Sequence, residues 1–124
     1  MKKILLSIIL LYLQVFANSN IKAYAIGIFD KNGNGENIQH LRKTKSNYDG
    51  LCYSKVIVLS KSHINTPQVT IGNSRGHFIK SIPIYNKYKI KMAEEFTFKH
   101  FNVTRGYFEV KIDGKLYDTK VFIK

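Results

Sequence analysis

The chain has 124 residues and is strongly basic, with 20 Lys and Arg residues against 8 Asp and Glu residues and a formal net charge of +12. This length suits one domain with a modest core, and the charge predicts anionic partners. Cys52 is the single cysteine, which excludes an intramolecular disulfide and a cysteine-pair zinc site. Its apolar neighbours predict that the Cys52 thiol is buried.

Residues 1–17 have the composition of a secretory signal peptide. Two lysines precede an apolar run from Ile4 to Leu13, and Ala17 offers a cleavage site. The run is shorter than the ~20 residues that span a bilayer, although an uncleaved anchor is the alternative. We therefore expect an exported protein, periplasmic or extracellular, with one domain over residues 18–124, a net charge of +10 and no integral membrane segment after cleavage.

Residues 21–29 predict the first strand, and a polar stretch follows it. DKNGNG, residues 30–35, has the Asp-x-Asn-x-Asn-Gly spacing of an EF-hand calcium loop. Position 12 of such a loop would be Leu41, which cannot bind calcium, and no helix precedes Asp30. We therefore interpret the stretch as a flexible β-turn and expect no metal and no cofactor.

The next segment allows two secondary structures, and the one after it predicts a single one. Residues 36–45 (ENIQHLRKTK) predict either a short helix, with Ile38 and Leu41 on one side, or a polar strand. Residues 51–60 are continuously apolar at their centre, which predicts a central strand buried on both faces.

Two further strands follow, separated by the turn over residues 72–76. Residues 68–71 come directly after Pro67, which suits the start of a strand. Residues 77–85 contain Pro83, and a proline inside a strand places that strand at the edge of a sheet.

The stretch NKYKIKM carries the most specific functional pattern. Residues 88–92 alternate cleanly, which predicts a strand with its lysines on one face at roughly 7 Å intervals. Other lysines precede and follow this ladder, and neighbouring tyrosines could add stacking or interfacial contacts. The candidate anion-binding residues are Lys80, Lys87, Lys89, Lys91 and Lys99. The alternative is an ordinary solvated face whose lysines protect a sheet edge from aggregation.

The C-terminal part predicts strands with the clearest pattern. Phe96, Phe98 and His100 share one face of a strand. Asp113-Gly114 separates two alternating runs and predicts a type I′ hairpin, with Phe108, Val110 and Ile112 facing the core. The whole pattern predicts an all-β protein, as a single small antiparallel β-sandwich of immunoglobulin-like or similar form; a small β-barrel or an α+β roll is the alternative.

The histidines offer the best enzymatic hypothesis, a metal-independent secreted nuclease. His77 beside Arg75, or His100 with Arg105 and Glu109, could supply a base, an acid and a cation for a phosphate. Neither group has a diagnostic spacing, so we assign no catalytic residue.

We expect a small exported domain that binds an anionic partner, namely an envelope component, an acidic glycan or an acidic protein, rather than an enzyme. Nucleic acid is a possible ligand that we do not favour. The alternatives are a secreted toxin or antibacterial effector, including the nuclease, and an extracellular assembly subunit that pairs through an edge strand.

Overall fold

The computed structural model describes residues 21–124, which form eight β-strands and no helix. The strands are β1 (Lys22–Phe29), β2 (Gly35–Asn37), β3 (Gly50–Leu59), β4 (Gln68–Ile71), β5 (Ser74–Tyr85), β6 (Lys91–Val103), β7 (Gly106–Ile112) and β8 (Lys115–Ile123). They lie in the order β2-β1-β3-β6-β5-β4-β7-β8, and every neighbouring pair is antiparallel. The predicted signal peptide, residues 1–17, lies outside the described residues.

The all-β prediction is confirmed, and the two-sheet sandwich is not. All eight strands belong to one antiparallel sheet that curls into a half-barrel, with its core on the inner face. Alternating strands satisfy either arrangement, because both bury one face of each strand. The long-range pairing that separates the two arrangements leaves no local pattern in the sequence.

The C-terminal hairpin follows its local sequence closely. Phe108, Val110 and Ile112 of β7 are buried, as predicted. Asp113 and Gly114 between β7 and β8 have φ angles of 51° and 83°, which are the two positive values that a type I′ turn requires.

Strand β3 is central, as predicted, because it pairs with β1 on one side and β6 on the other. The prediction that both of its faces are buried is wrong. Cys52, Ser54, Val56 and Val58 are fully buried on the inner face, whereas the residues that alternate with them are only partly covered and Leu59 is exposed. The buried Cys52 agrees with the sequence analysis.

Residues 30–48 form turns around one short strand. Asp30 Oδ1 accepts hydrogen bonds from the N–H groups of Asn32 and Asn34, at 2.9 and 3.0 Å, so the DKNGNG stretch is a turn closed by its own polar groups. Within residues 36–45, neither the predicted helix nor a full-length strand forms; β2 ends at Asn37.

A single carboxylate holds the chain after β2 in place. Glu36 accepts hydrogen bonds from the backbone N–H groups of Lys45 and Ser46 and from the Tyr48 hydroxyl, at 2.8 to 2.9 Å. Burial would raise the pKa of Glu36, but these donors and the Lys45 charge together lower it. Ile38 is fully buried as a result.

Hydrogen bonds connect β8, the last strand in the order, to residues 42–48 and to β1. Residues 42–48 run along β8, where Phe122 N–H donates to Arg42 O at 2.8 Å and Thr44 N–H donates to Phe122 O at 2.9 Å. Asp118 of β8 accepts a hydrogen bond from Ala25 N–H of β1 at 2.9 Å, across the mouth of the half-barrel. These contacts cover the C-terminal end of the β8 edge, at Phe122 and Lys124.

The β5–β6 hairpin differs from the rest of the sheet. We call residues 79–95, which include its turn, the arm. Seven of the twelve exposed large apolar side chains of residues 21–124 lie in the arm, namely Ile79, Ile82, Ile84, Tyr85, Tyr88, Ile90 and Met92. The arm therefore carries most of the apolar surface that the core does not absorb.

Candidate anion-binding surface

Residues 86–90 of the NKYKIKM stretch form the turn of the arm, so the strand predicted over residues 88–92 is wrong for residues 88–90 and begins only at Lys91. Asn86 Oδ1 accepts hydrogen bonds from Tyr88 N–H at 2.8 Å and Ile90 N–H at 3.1 Å, and its backbone bonds to Ile90 O and Lys89 N–H. Lys89 adopts a positive φ of 66°. An Asn side chain can bond to the backbone just beyond it and thereby replace a sheet ladder with a turn. Asn86 was therefore the local signal for a turn.

This turn places two of the candidate lysines at the end of the arm. We call residues 85–90 the arm tip. Lys87 Nζ lies 5.1 Å from the centroid of the Tyr88 ring, and Tyr88 is 70% exposed. Tyr85 and Ile90 are also exposed, so the tip combines cations with amphipathic and apolar side chains.

Lys91 differs from the tip lysines because it has an acidic partner. It begins β6, and its Nζ lies 2.8 Å from Glu94 Oε1. The hydrogen bond from Lys91 is the main reason that the pKa of Glu94 is lowered. Lys91 therefore carries a charge that is already balanced.

Lys99 stands at the centre of a different group, on the outer face of the sheet. It pairs with Tyr53 of β3 and His77 of β5 in the sheet register. Its Nζ lies 5.7 Å from the Tyr53 ring centroid and 5.1 Å from the Phe101 ring centroid. The His77 and Phe101 rings meet edge-on at 5.5 Å.

We call Tyr53, His77, Lys99 and Phe101 the sheet-face cluster. Lys80 lies beside it, because Lys80 pairs with Thr97, the next outward residue along β6 from Lys99. Sequence reasoning named the lysines but missed the three rings. They come from three strands that are neighbours only through long-range pairing, although the alternation of Lys99 and Phe101 along β6 could have indicated their shared face.

The candidate lysines differ in whether a carboxylate balances them. Within residues 21–124, the ion pairs are Lys55 with Glu95, Lys91 with Glu94 and Lys120 with Asp118. The remaining candidates, Lys80, Lys87, Lys89 and Lys99, have no carboxylate within ion-pair distance in this part of the chain. Their charge is available to an external anion.

The histidine groups of the nuclease hypothesis are not assembled as that chemistry needs. His100 is fully buried, so its ring cannot reach the phosphate of a polymer in the folded protein. His100 Nε2 shares a 2.8 Å hydrogen bond with the Ser54 hydroxyl, and burial lowers the pKa of His100 to about 4. His77 is exposed, but its closest ring partner is Phe101.

Gly76 makes room for this buried histidine. Gly76 pairs with His100 across β5 and β6, and a Cβ at Gly76 would lie 2.9 Å from His100 Cε1. The Nδ1 of His100 has no hydrogen-bond partner among the described residues. Burial also raises the pKa of the neighbouring Cys52 thiol to about 12, which makes it a poor nucleophile.

Comparisons with known proteins give no family for this chain. No protein-family model matches it, and no curated protein or solved structure shows significant similarity to it. Between residues 21 and 124 there is also no helix with the length and apolar character needed to cross a membrane.

Proposed function

We propose that the protein is an exported binding module for an anionic surface or polymer, such as an envelope component or an acidic glycan. The sheet-face cluster and Lys80 form the principal contact, and the arm tip adds a second basic contact through Lys87 and Lys89. The module binds its partner and does not transform it.

The observation that carries this proposal is the environment of Lys99. Its ammonium group is flanked by the Tyr53 and Phe101 rings and faces no carboxylate within residues 21–124. Aromatic rings hold the ammonium group in place without neutralising it, so it can still attract an anion. Planar rings beside a cation also suit the apolar faces of sugar rings or the interface of a lipid layer.

The shape of the site favours an extended partner. The cluster lies on the outer face of a sheet, and its rings and cations stand side by side rather than around a cavity. Small-molecule sites are usually concave and enclose most of their ligand. A flat basic face is better suited to a polymer chain or to a charged surface.

The test compares two pairs of lysines that carry the same charge. Lys80→Gln/Lys99→Gln removes two charges from the site, and Lys31→Gln/Lys61→Gln removes two from loops elsewhere. Each lysine near an anionic surface contributes about 1 kcal/mol, so the site variant should bind about thirtyfold more weakly. Binding is measured on phosphatidylglycerol vesicles and on immobilised heparin, which separate lipid headgroups from acidic glycans as ligands.

The loop variant distinguishes a specific binding site from a general effect of net charge. We expect Lys31→Gln/Lys61→Gln to change affinity less than threefold and to retain the steep salt dependence of the unaltered protein. Equal losses in the two double variants would contradict the proposal, because they would show that net charge alone governs binding. Cleavage of RNA or DNA that His77→Ala abolishes would instead support the nuclease alternative.

A further inference from the structure

Most of strand β5 has a neighbour on one side only. From Gly76 to Tyr85 it pairs with β6, whereas β4 reaches only Ser74 and Arg75. The backbone N–H and C=O groups on the other side of this stretch therefore face no strand within residues 21–124. An open edge of this length is a template for pairing with another strand.

The β8 edge, in contrast, is covered at its C-terminal end. Residues 42–48 run beside β8 and bond to it at Phe122 and Lys124. The β5 edge has no such cover in the described part of the chain.

The open edge is also apolar. The large apolar side chains exposed along β5 are Phe78, Ile79, Ile82, Ile84 and Tyr85, each between 37% and 57% exposed. A lipid layer alone would cover these side chains but leave the backbone groups unpaired, at a cost of several kcal/mol each in hydrocarbon. An added strand satisfies the backbone and packs its own side chains beside these.

We propose that β5 pairs antiparallel with β5 of a second copy of this chain, which joins two half-barrel sheets through their arms. This inference does not depend on the anion-binding function.

The bulges of β5 and β6 indicate where the twofold axis passes. Ile79 is the extra residue in β5, and Met92 is the extra residue in β6. Between these bulges, residues 80–84 pair regularly with β6, and Ile82 lies at their centre. An axis at Ile82 sets Ile82 opposite its own copy and each Lys80 opposite Ile84 of the partner.

In this register no two lysines of the paired strands lie directly opposite each other, because each Lys80 faces Ile84 of the partner. In an antiparallel pair the two arm tips point in opposite directions. β5 ends at Tyr85, three residues beyond Ile82, so the two strand ends are about 20 Å apart, more than twice the ~8 Å Debye length at physiological ionic strength, and the tips follow these ends. The basic tips therefore do not oppose the pairing.

The available area sets the expected strength. The exposed apolar side chains of β5 present on the order of 400 Å² per copy, so even complete coverage would bury about 800 Å² plus backbone, below the ~1,200 Å² of the smallest specific interfaces. Pro83 has no N–H and removes at most one ladder hydrogen bond per copy. We therefore expect a weak, concentration-dependent dimer.

The first experiment is sedimentation velocity of the purified protein from about 1 to 100 µM in about 0.5 M salt, which screens the net charge. We expect a monomer–dimer equilibrium whose dissociation constant rises at least tenfold in Ile82→Lys. The matched control Leu116→Lys, at an exposed residue of β8, should leave that constant unchanged. A protein that stays monomeric at the highest concentration would overturn the proposal.

A second experiment tests the axis directly. Directly opposed residues of an antiparallel pair have Cα atoms about 4.5 to 5.5 Å apart, within disulfide range, so Ile82→Cys should form a disulfide-linked dimer under mild oxidation. Cys52 is buried and should not compete. Leu116→Cys is the control and should form no disulfide-linked dimer. A dimer that neither crosslinks at Ile82→Cys nor weakens in Ile82→Lys would place the interface elsewhere and contradict the proposal.

Discussion

The arm and the rest of the sheet, which we call the body, are both built from alternating strands. They differ in how far their apolar side chains are buried. In the body, residues such as Phe108, Val110 and Val121 are almost completely buried under the curled sheet. In the arm, Ile82 and Ile84 remain exposed although they are just as apolar. Alternation therefore determines which side chains share a face, whereas burial depends on what lies opposite that face.

The difference has a structural cause. The body curls, so that β1 approaches β8 and Asp118 bonds to Ala25 across the opening. The arm projects from this curl as two strands, and no other element of the described chain packs along its β5 edge. Two-stranded ribbons are marginal in water without a further partner, which is consistent with a surface built for an interaction.

The largest expected effect comes from removing the same side chain in both regions. Phe108→Ala empties a fully buried site in the body and should lower the free energy of unfolding by about 3 to 5 kcal/mol. Phe78→Ala, at the base of the arm and half exposed, should cost about 1 to 2 kcal/mol. Denaturant unfolding of both variants measures the contrast, and equal costs would show that the base of the arm is as tightly packed as the body.

The next largest effect is a pH dependence from His100. Its pKa is lowered from 6.5 to about 4 because burial disfavours the charged ring. The neutral ring is stable in the fold above pH 6.5, and stability falls as the pH drops toward 4, because the unfolded chain binds the proton first. The loss amounts to roughly 3 kcal/mol over this range.

Two variants isolate this titration from that of the carboxylates. His100→Gln should be less stable at pH 7 but should lose less further stability between pH 6.5 and 4. His77→Gln, at an exposed histidine, should follow the unaltered protein. If His100→Gln has the same pH slope as the unaltered protein in urea unfolding at each pH, then His100 is not the group responsible.

The smallest effect concerns the contact that closes the body. Asp118→Ala leaves the Ala25 N–H without its acceptor and should cost about 1 to 3 kcal/mol. Lys120→Gln removes the 3.8 Å ion pair to Asp118 and the contact of Lys120 Nζ with the Tyr24 ring at 5.8 Å, and should cost less than about 1 kcal/mol. Hydrogen exchange at Ala25 should accelerate in Asp118→Ala alone, and unchanged exchange would show that the mouth of the half-barrel is held by other contacts.

The sequence predicted the turns and strand faces that depend on interactions between residues close together in the chain. Asp113-Gly114 determines a turn by its own backbone preferences, and Phe96, Phe98 and His100 share the inner face as their alternation indicates. The strand predicted over residues 88–92 does not form at residues 88–90. The alternation of NKYKIKM favours a strand, but the hydrogen bonds from the backbone to the Asn86 side chain form a turn instead.

Features that depend on distant pairing were beyond the sequence. The curl of the sheet and the meeting of Tyr53, His77 and Phe101 around Lys99 follow from β3, β5 and β6 becoming neighbours. The candidate lysines lie on the arm or the sheet face, while their division into a balanced Lys91 and an unbalanced remainder required the fold.

The bond between Ala25 and Asp118 joins residues 93 positions apart in the chain. Sheets closed by contacts of such sequence separation fold slowly, in milliseconds to seconds, because the chain must lose loop entropy before the distant partners meet. The arm, whose strands follow one another through a short turn, can form much earlier. Chains folding at high concentration are therefore open to pairing through the β5 edge before the body has closed.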